Sequence, residues 1–409
     1  MGDATGPKCY DAPVPSVVLK PGHVQPVWAG HPWVFAQAIE RVEGGAQAGD
    51  EVDVKDARGN FLGRGLYSPG SAIPVRILTR DRDRHVDAKL FENRLRSAIE
   101  RRARLGLPSP STSAVRLVHA EGDDLPGLIV DRLGDVLAVQ FGTLGMKRRA
   151  ETILDALEAL IHPRAIVDRS SERAAKSEGF TAAAGVVRGD ANLTHFDIVE
   201  RGLRFRIPLE LGQKTGFYVD QRELRARVGE LSRGQRVLDT YAFVGAFALS
   251  AARGGATDVE AVDQSALALT VAADAARENG LGGKVRFECE DSLHALDRTG
   301  KQGGVDLVIC DPPKLAPTRA ARTRALGLMR KLSAQAARAT RPGGLLVLCS
   351  CSAAIGLPEL TRALSLGAAD VGLRALVMER FFQGADHPVP AAFPEGLYLS
   401  SVIVEIGKG

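Results

Sequence analysis

At 409 residues the chain is long enough for two or three domains with ample core. Hydrophobic residues at 45% and charged residues at 25% are the proportions of an ordinary folded chain, which excludes a disordered or fibrous protein. The net charge of +4 is mild, so composition alone imposes no polyanionic partner.

The N-terminal MGDATGPKCYDAP carries no apolar leader and reads as a loose tail. No run approaches the roughly 18 apolar residues of a spanning helix, so a cytoplasmic location and no membrane partner are expected. Five cysteines, an odd number without a CxxC pair, argue against a disulfide framework and a zinc site, and no metal is expected. The basic residues are unevenly spread. Arg76 to Arg104 holds ten Lys/Arg against five Asp/Glu, and Pro312 to Pro358 holds eight Lys/Arg and no acid. One such run is usually a solvated helix face; two raise the odds of a polyanionic partner.

From Val17 to about Thr79 short β segments alternate with turn residues: VVLK, Pro-Gly, GHPWVF, AGDEVDVKD, FLGRGLYS, Pro-Gly-Ser, IPVRILT. This spacing predicts a small β barrel over residues 14–82. Within it Trp28 and Trp33 could stack on bases, while Trp33 could equally fill the barrel core. Val86 to Arg104 reads as an amphipathic helix opening a central α+β domain, 83–203. Its strands are Val115-Arg-Leu-Val-His, Leu128-Ile-Val-Asp, Val136–Phe141 and Ala165-Ile-Val-Asp, with a helix over Lys147–Leu160 and a hairpin over Phe196–Pro208.

Residues 204–409 are α/β in character. Val237-Leu-Asp-Thr-Tyr-Ala-Phe-Val-Gly-Ala-Phe247 predicts a strand, a tight turn and a helix entered at Gly245, the opening of a doubly wound nucleotide-binding sheet. Four more apolar runs follow. The five strands deliver Asp239, Asp263, Asp291, Asp311 and Cys351 at their carboxyl ends, where open α/β sheets bind ligands.

That order resembles the class I S-adenosylmethionine-dependent methyltransferases, whose cofactor has no pyrophosphate and so does not need the second and third glycines of a dinucleotide loop. With GHPWVF, EGDDLPGLIVDR, KTGFYVDQR, DPPK, CS and ADHPV…PEGLYL in order over residues 15–407, the chain resembles the RlmI-like family of bacterial 23S rRNA methyltransferases. The resemblance implies an N-terminal PUA domain, a compact RNA-binding barrel, then a small central domain and a C-terminal Rossmann-like methyltransferase sheet. It also implies S-adenosylmethionine as cofactor, with Asp239 near its methionine end, Asp263 on the ribose and Asp291 at the adenine edge. Lys214, Thr215, Gly216, Tyr218 and Gln221 would close over the donor, beside Tyr241, Gly245 and Asp311. The implied partner is 23S rRNA, free or in a partly assembled large subunit, with Lys314, Arg319, Arg322 and His387 as substrate contacts; a homodimer stays open. Two departures stand out: the turn Tyr241–Gly245 has a single glycine, and His23 stands where the family's barrel often carries a basic residue.

Carbon 5 of cytosine is a poor nucleophile until a thiolate adds at carbon 6 and breaks the aromatic ring. The enzyme then needs a group at the ring nitrogen 3 and amino edge, and a base for the carbon 5 proton. Cys351 and Asp311 suit the first two tasks, since adjacent strands lie roughly 5 Å apart. Cys310 should pack as a small apolar residue before the Asp-Pro-Pro turn. Periodicity cannot separate Cys349 from Cys351, but the family's Ser-Cys-Ser matches Cys351. His387 could accept a proton, although a structural hydrogen bond is the readier role. Competing readings are methylation of a guanine or adenine nitrogen, which needs no cysteine, and a non-catalytic rRNA-binding assembly factor, which the retained acids oppose. A small-molecule methyltransferase is disfavoured by the barrel and the basic stretches.

Overall fold

The structure, a computed structural model, describes residues 14–211, 216–315, 322–352 and 354–409, so Lys214, Thr215 and Arg319 lie outside the described residues. Six strands open the chain: β1 (Ser16–Leu19), β2 (Trp33–Val34), β3 (Ile39–Glu43), β4 (Glu51–Lys55), β5 (Phe61–Tyr67) and β6 (Val75–Thr79). They form one mixed sheet in the order β2-β6-β5-β4-β1-β3, in which only β1 and β4 run parallel. Val52 and Val54 alternate inward along β4, as the two-residue period requires, and meet Val17, Leu19, Val34 and Val75.

Helix α1 (Ala88–Arg104) starts at Asp87, whose carboxylate accepts from Leu90 N at 2.8 Å. Its apolar face, Leu90, Phe91, Leu95 and Ala98, packs on the central sheet. That sheet is β7 (Ala114–His119), β8 (Leu128–Leu133), β9 (Val136–Phe141), β10 (Ala165–Arg169) and β11 (Ala184–Gly189), with α2 (Ala150–Ile161) crossing between the parallel pair β9 and β10. Much of the basic stretch from Arg76 to Arg104 turns out to be internal bracing. Arg80 donates to the carbonyls of Val27, His31 and Leu62, and Arg94 to those of Leu78 and Asp124. Arg102 is fully buried against Asp123 at 2.5 and 2.8 Å. The charge count therefore overstated the basic surface of this region.

A two-stranded ribbon, β12 (His195–Glu200) and β13 (Leu203–Pro208), turns at Arg201 and Gly202, both left-handed at φ 47° and 85°. A domain division at residue 203 would run between these paired strands.

The C-terminal sheet comprises β14 (Arg236–Thr240), β15 (Asp258–Asp263), β16 (Val285–Cys289), β17 (Val305–Cys310), β18 (Thr340–Ser350), β19 (Leu373–Phe381) and β20 (Ser400–Lys408). Its order is β16-β15-β14-β17-β18-β20-β19, the first five strands parallel and β20 antiparallel to both of its neighbours, β18 and β19. Alternate strand residues feed two cores. Val237, Val259, Ile309 and Val347 pack with α3 (Arg222–Leu231), α4 (Ala246–Arg253) and α5 (Ala266–Glu278) on one face. Leu238, Val262, Val308 and Leu346 pack with α6 (Ser292–Lys301), α7 (Arg322–Ala339) and α8 (Leu357–Asp370) on the other. This is the doubly wound, three-layer arrangement. The motifs ADHPV and PEGLYL lie in residues 382–399, which connect the antiparallel pair β19 and β20. Among the described residues no helix is long and apolar enough to cross a membrane.

Candidate active site

The parallel register brings the predicted acids to one edge. Asp239 pairs level with Ala261 and Ile309, and Asp263 with Cys289. Between β14 and α4 the chain turns through Tyr241 (φ 61°), Phe243 (φ 51°) and Gly245 (φ 72°). Only the last suits a left-handed backbone; each of the other two costs about 1–2 kcal/mol. Neighbouring side chains hold them there: Phe243 N donates to Asp263 Oδ2 at 2.8 Å and Tyr241 N to Ser292 Oγ at 3.2 Å. At Gly245 a Cβ would come within 3.0 Å of Ala272 Cβ, so packing as well as φ calls for glycine.

Asp263 and Asp291 are therefore also parts of the frame. Asp263 Oδ1 accepts from Ser265 N at 2.8 Å. Asp291 caps α6 through Leu293 N at 2.9 Å and takes Gln264 Nε2 at 2.6 Å. Asp239 is only 1% exposed; Oδ2 accepts from Ala248 N at 2.9 Å, and its buried Oδ1 has no partner among the described residues. Burial pushes its carboxyl well above the usual range, and the Asp311 and Asp263 charges add to the shift.

The cysteines separate by environment. Cys310 is buried, and burial pushes its thiol up to about 12. Cys349 is buried too, its thiol pushed well up by burial and the Asp311 charge, and it donates to Gln221 Oε1 at 3.7 Å. The same amide donates from Nε2 to Asp311 Oδ2 at 2.7 Å. Gln221 thus ties up Cys349 and orients Asp311, a role that its position upstream of the sheet did not announce. Cys351 lies just past the end of β18 and is half-buried, as is Asp311. Cys310 pairs with Leu348 in parallel register, so Asp311 follows level with Cys349 and Cys351 comes one pleat beyond.

The segment Phe217–Arg222 spreads its side chains over the whole junction. Phe217 stacks on Phe205 at 5.3 Å under the Arg225 guanidinium, which is paired with Glu200 at 2.5 and 2.6 Å. Tyr218 meets Phe243 edge-on at 5.4 Å. Asp220 accepts from the Tyr398 hydroxyl at 2.7 Å, and Arg222 reaches Asp386 at 2.7 Å. Gly216, at φ 112°, packs on Phe196.

The expected substrate contacts fare unevenly. Lys314 is exposed beyond the Asp-Pro-Pro turn, and Arg322 is exposed but paired with Glu359 at 2.6 Å. His387 is enclosed: its side chain is 0% exposed, bonded to Asp386 Oδ1 at 3.0 Å and packed on the His119 ring at 5.0 Å. It cannot meet a macromolecular surface, so its role as a substrate contact is corrected. Trp33 is neither barrel core nor surface. Its indole donates to Glu121 Oε1 at 2.7 Å and packs edge-on with Phe393 at 4.6 Å, where barrel, central domain and the 382–399 connection meet. Trp28 is 74% exposed.

The edge suits a cationic cofactor. Asp239, Asp263 and Asp311 interact repulsively, and Asp239 keeps a buried acceptor without a donor. S-adenosylmethionine brings an ammonium and a sulfonium, which satisfy such a set; Asp239, Asp263 and Asp291 are the residues that would hold it.

Known proteins agree with this architecture. A PUA-like domain family matches residues 17–80, and an S-adenosylmethionine-dependent methyltransferase family matches residues 116–375. A structure of a methyltransferase solved with SAH superposes at TM-score 0.83 with 16% identity, over 95% of this chain and 99% of that one, which speaks to fold alone. Ribosomal RNA large subunit methyltransferase I of Klebsiella pneumoniae is 35% identical over 95% of this chain and 98% of its own length. Its counterpart in Shewanella denitrificans is 35% identical over 95% and 99%. The chain therefore belongs to the ribosomal RNA large subunit methyltransferase I family, as an S-adenosylmethionine-dependent methyltransferase with an N-terminal PUA-like domain.

Proposed function

We propose that the chain methylates carbon 5 of a cytosine in 23S rRNA through a covalent adduct with Cys351. The observation that carries this reading is the contrast among the thiols of the carboxyl edge. Cys310 and Cys349 are buried with raised pKa values, whereas Cys351 is half-buried beyond the strand end, one pleat past the level of Asp311. The nucleophile must be accessible and able to ionise, which favours Cys351.

In this mechanism the Cys351 thiolate bonds to carbon 6, and the ring electrons shift to carbon 5. Asp311, oriented by Gln221, supports the charge at ring nitrogen 3 and the amino edge. The bound cofactor supplies the methyl group as electrophile. Loss of the carbon 5 proton to a base and cleavage of the carbon–sulfur bond restore the aromatic ring and free the thiolate. Burial, with the charges of Asp311, Asp220 and Cys351, pushes the Tyr218 phenol up, which disfavours it as that base at neutral pH. The target base must leave its stack to reach the edge, so single-stranded or partly assembled rRNA is the fitting substrate, and the cytoplasm the place of action.

A 5-fluorocytidine-containing 23S rRNA fragment should trap a covalent complex, because fluorine cannot leave as a proton. Cys351→Ala should abolish both trap and turnover while cofactor binding stays intact. A Cys351→Ala protein that still methylates its RNA would overturn the adduct and favour a guanine or adenine nitrogen as acceptor.

A further inference from the structure

A cavity of about 420 Å³ lies where the barrel, the central domain and the 382–399 connection meet. Its wall includes Trp33, Glu121, Tyr218, Phe393, Glu395 and Tyr398. Among the described residues the cavity lining does not include Asp311, Cys351 or Asp263, and of the expected site residues it includes Tyr218, whose phenol feels the Asp311 and Cys351 charges. The cavity thus borders the 217–220 segment, whose Tyr218 also meets Phe243 of the turn after β14.

Resting on the rRNA methyltransferase reading, we propose that this cavity is a second nucleobase site. It receives an unstacked, amino-bearing base of a nucleotide flanking the target, stacked on Trp33. The volume falls in the range of small-ligand pockets, about 300–1,000 Å³. The wall carries the rings of Trp33, Phe217, Tyr218, Phe393 and Tyr398, the kind of surface on which single-stranded bases stack. Arg116 in the wall is committed to Asp131, while Glu121 and Glu395, held by Trp33 and His31, repel a phosphate and can still accept from an exocyclic amine, so adenine, cytosine or guanine fits and the backbone stays outside. The Trp33 ring is fixed in advance, by its hydrogen bond to Glu121 and its packing on Phe393, so little freedom is lost on stacking. Gly122 closes the far wall: a Cβ there would lie 1.9 Å from Pro388 O, which shows how tightly the central domain and the connection meet around the space.

The chain has two tryptophans, so Trp28→Phe leaves Trp33 as the sole indole emitter. In the full-length Trp28→Phe protein, titration with protein-free 23S rRNA from a strain lacking the enzyme should quench Trp33 emission saturably. Oligo(A) should quench more than oligo(U). Trp33→Ala should raise KM for the RNA roughly 5- to 150-fold, the range of one lost base stack, with kcat and cofactor affinity unchanged. Trp33→Phe should recover most of that loss, which a purely structural role for the indole would not predict. RNA retention on filters without any change in Trp33 emission would overturn the second site while leaving the methyltransferase reading untouched. Quenching by RNA in a protein that methylates no rRNA would do the reverse.

Discussion

Asp386 joins three parts of the molecule, and its loss should open their junction. The residue is fully buried; Oδ2 accepts from Arg222 at 2.7 Å and from Arg116 N at 3.1 Å, while Oδ1 meets His387 at 3.0 Å. Its own carbonyl accepts from the buried Arg102 at 2.6 Å. Asp386→Asn keeps the shape and leaves an amide oxygen for Arg116 N, but it strands the Arg222 guanidinium, 4% exposed, without a counter-charge. Breaking a buried pair on one side costs about 3–5 kcal/mol, and the retained amide oxygen argues for the lower end, about 3 kcal/mol. Hydrogen exchange should read this as a roughly 150-fold loss of protection in peptides spanning Arg116 and residues 384–388. The pH dependence has a definite sign. Burial alone would raise the carboxyl, but the His387 hydrogen bond and the Arg222 charge hold it well below 3.8. A depressed carboxyl contributes stability that is present above the unfolded value and lost as pH falls through the folded one. The gap between wild type and Asp386→Asn should thus be constant at neutral pH and shrink only below about pH 4. Protection unchanged at neutral pH in both segments would refute the clamp.

Asp239→Asn should weaken S-adenosylmethionine binding roughly 10- to 150-fold, measured by calorimetry, through a lost charged hydrogen bond. The same change should stabilise the cofactor-free protein. A carboxyl raised above 3.8 by burial penalises the fold increasingly as pH climbs past the unfolded value, so the Tm advantage of the variant should grow as pH rises above about 4; a flat difference would count against the buried charge. Gly122→Ala should cost roughly 1–3 kcal/mol in urea titration, since its Cβ would overlap the Pro388 carbonyl; an unchanged midpoint would mean the turn gives way freely.

The doubly wound sheet was legible because buried parallel strands read as uninterrupted apolar runs, each ending in a polar residue that marks its carboxyl end. The helix entered at Gly245 begins at Ala246 as expected, and β17 and β18 are neighbours as the Asp311–Cys351 pairing needed. Burial, which no single position in a sequence declares, separated the cysteines. Periodicity left Cys349 and Cys351 equivalent; the family's Ser-Cys-Ser pointed to Cys351, and the burial of Cys349 against Gln221 is the physical difference between them. Long-range partners were equally silent: Tyr398 with Asp220 and Arg222 with Asp386 join distant parts of the chain and leave no local pattern. The arginines from 76 to 104 misled for the opposite reason. A cation facing a buried carbonyl and one facing solvent look alike in a sequence, yet Arg80 and Arg94 are spent on backbone oxygens.

The carboxyl edge gains its shape from side chains that bond backbone before they can bond a ligand. The turn after β14 holds two non-glycine residues in the left-handed region, and Asp263 and Ser292 secure the amides of that turn. Left alone, such a turn would relax toward ordinary backbone angles and shift the entry of α4. Gln221 plays the equivalent part for Asp311, fixing the carboxylate from a neighbouring segment and not from the sheet itself. Acids that could only bind ligand would be mobile and mutually repelled until it arrived. Here each acid already anchors the frame, Asp239 and Asp311 through Oδ2 and Asp263 and Asp291 through both oxygens. Groups held this way need little reorganisation when charge develops on a substrate, which is where polar sites gain most over water. The cost falls on Asp239, whose buried Oδ1 has no donor among the described residues, and that is where a cationic cofactor has most to offer.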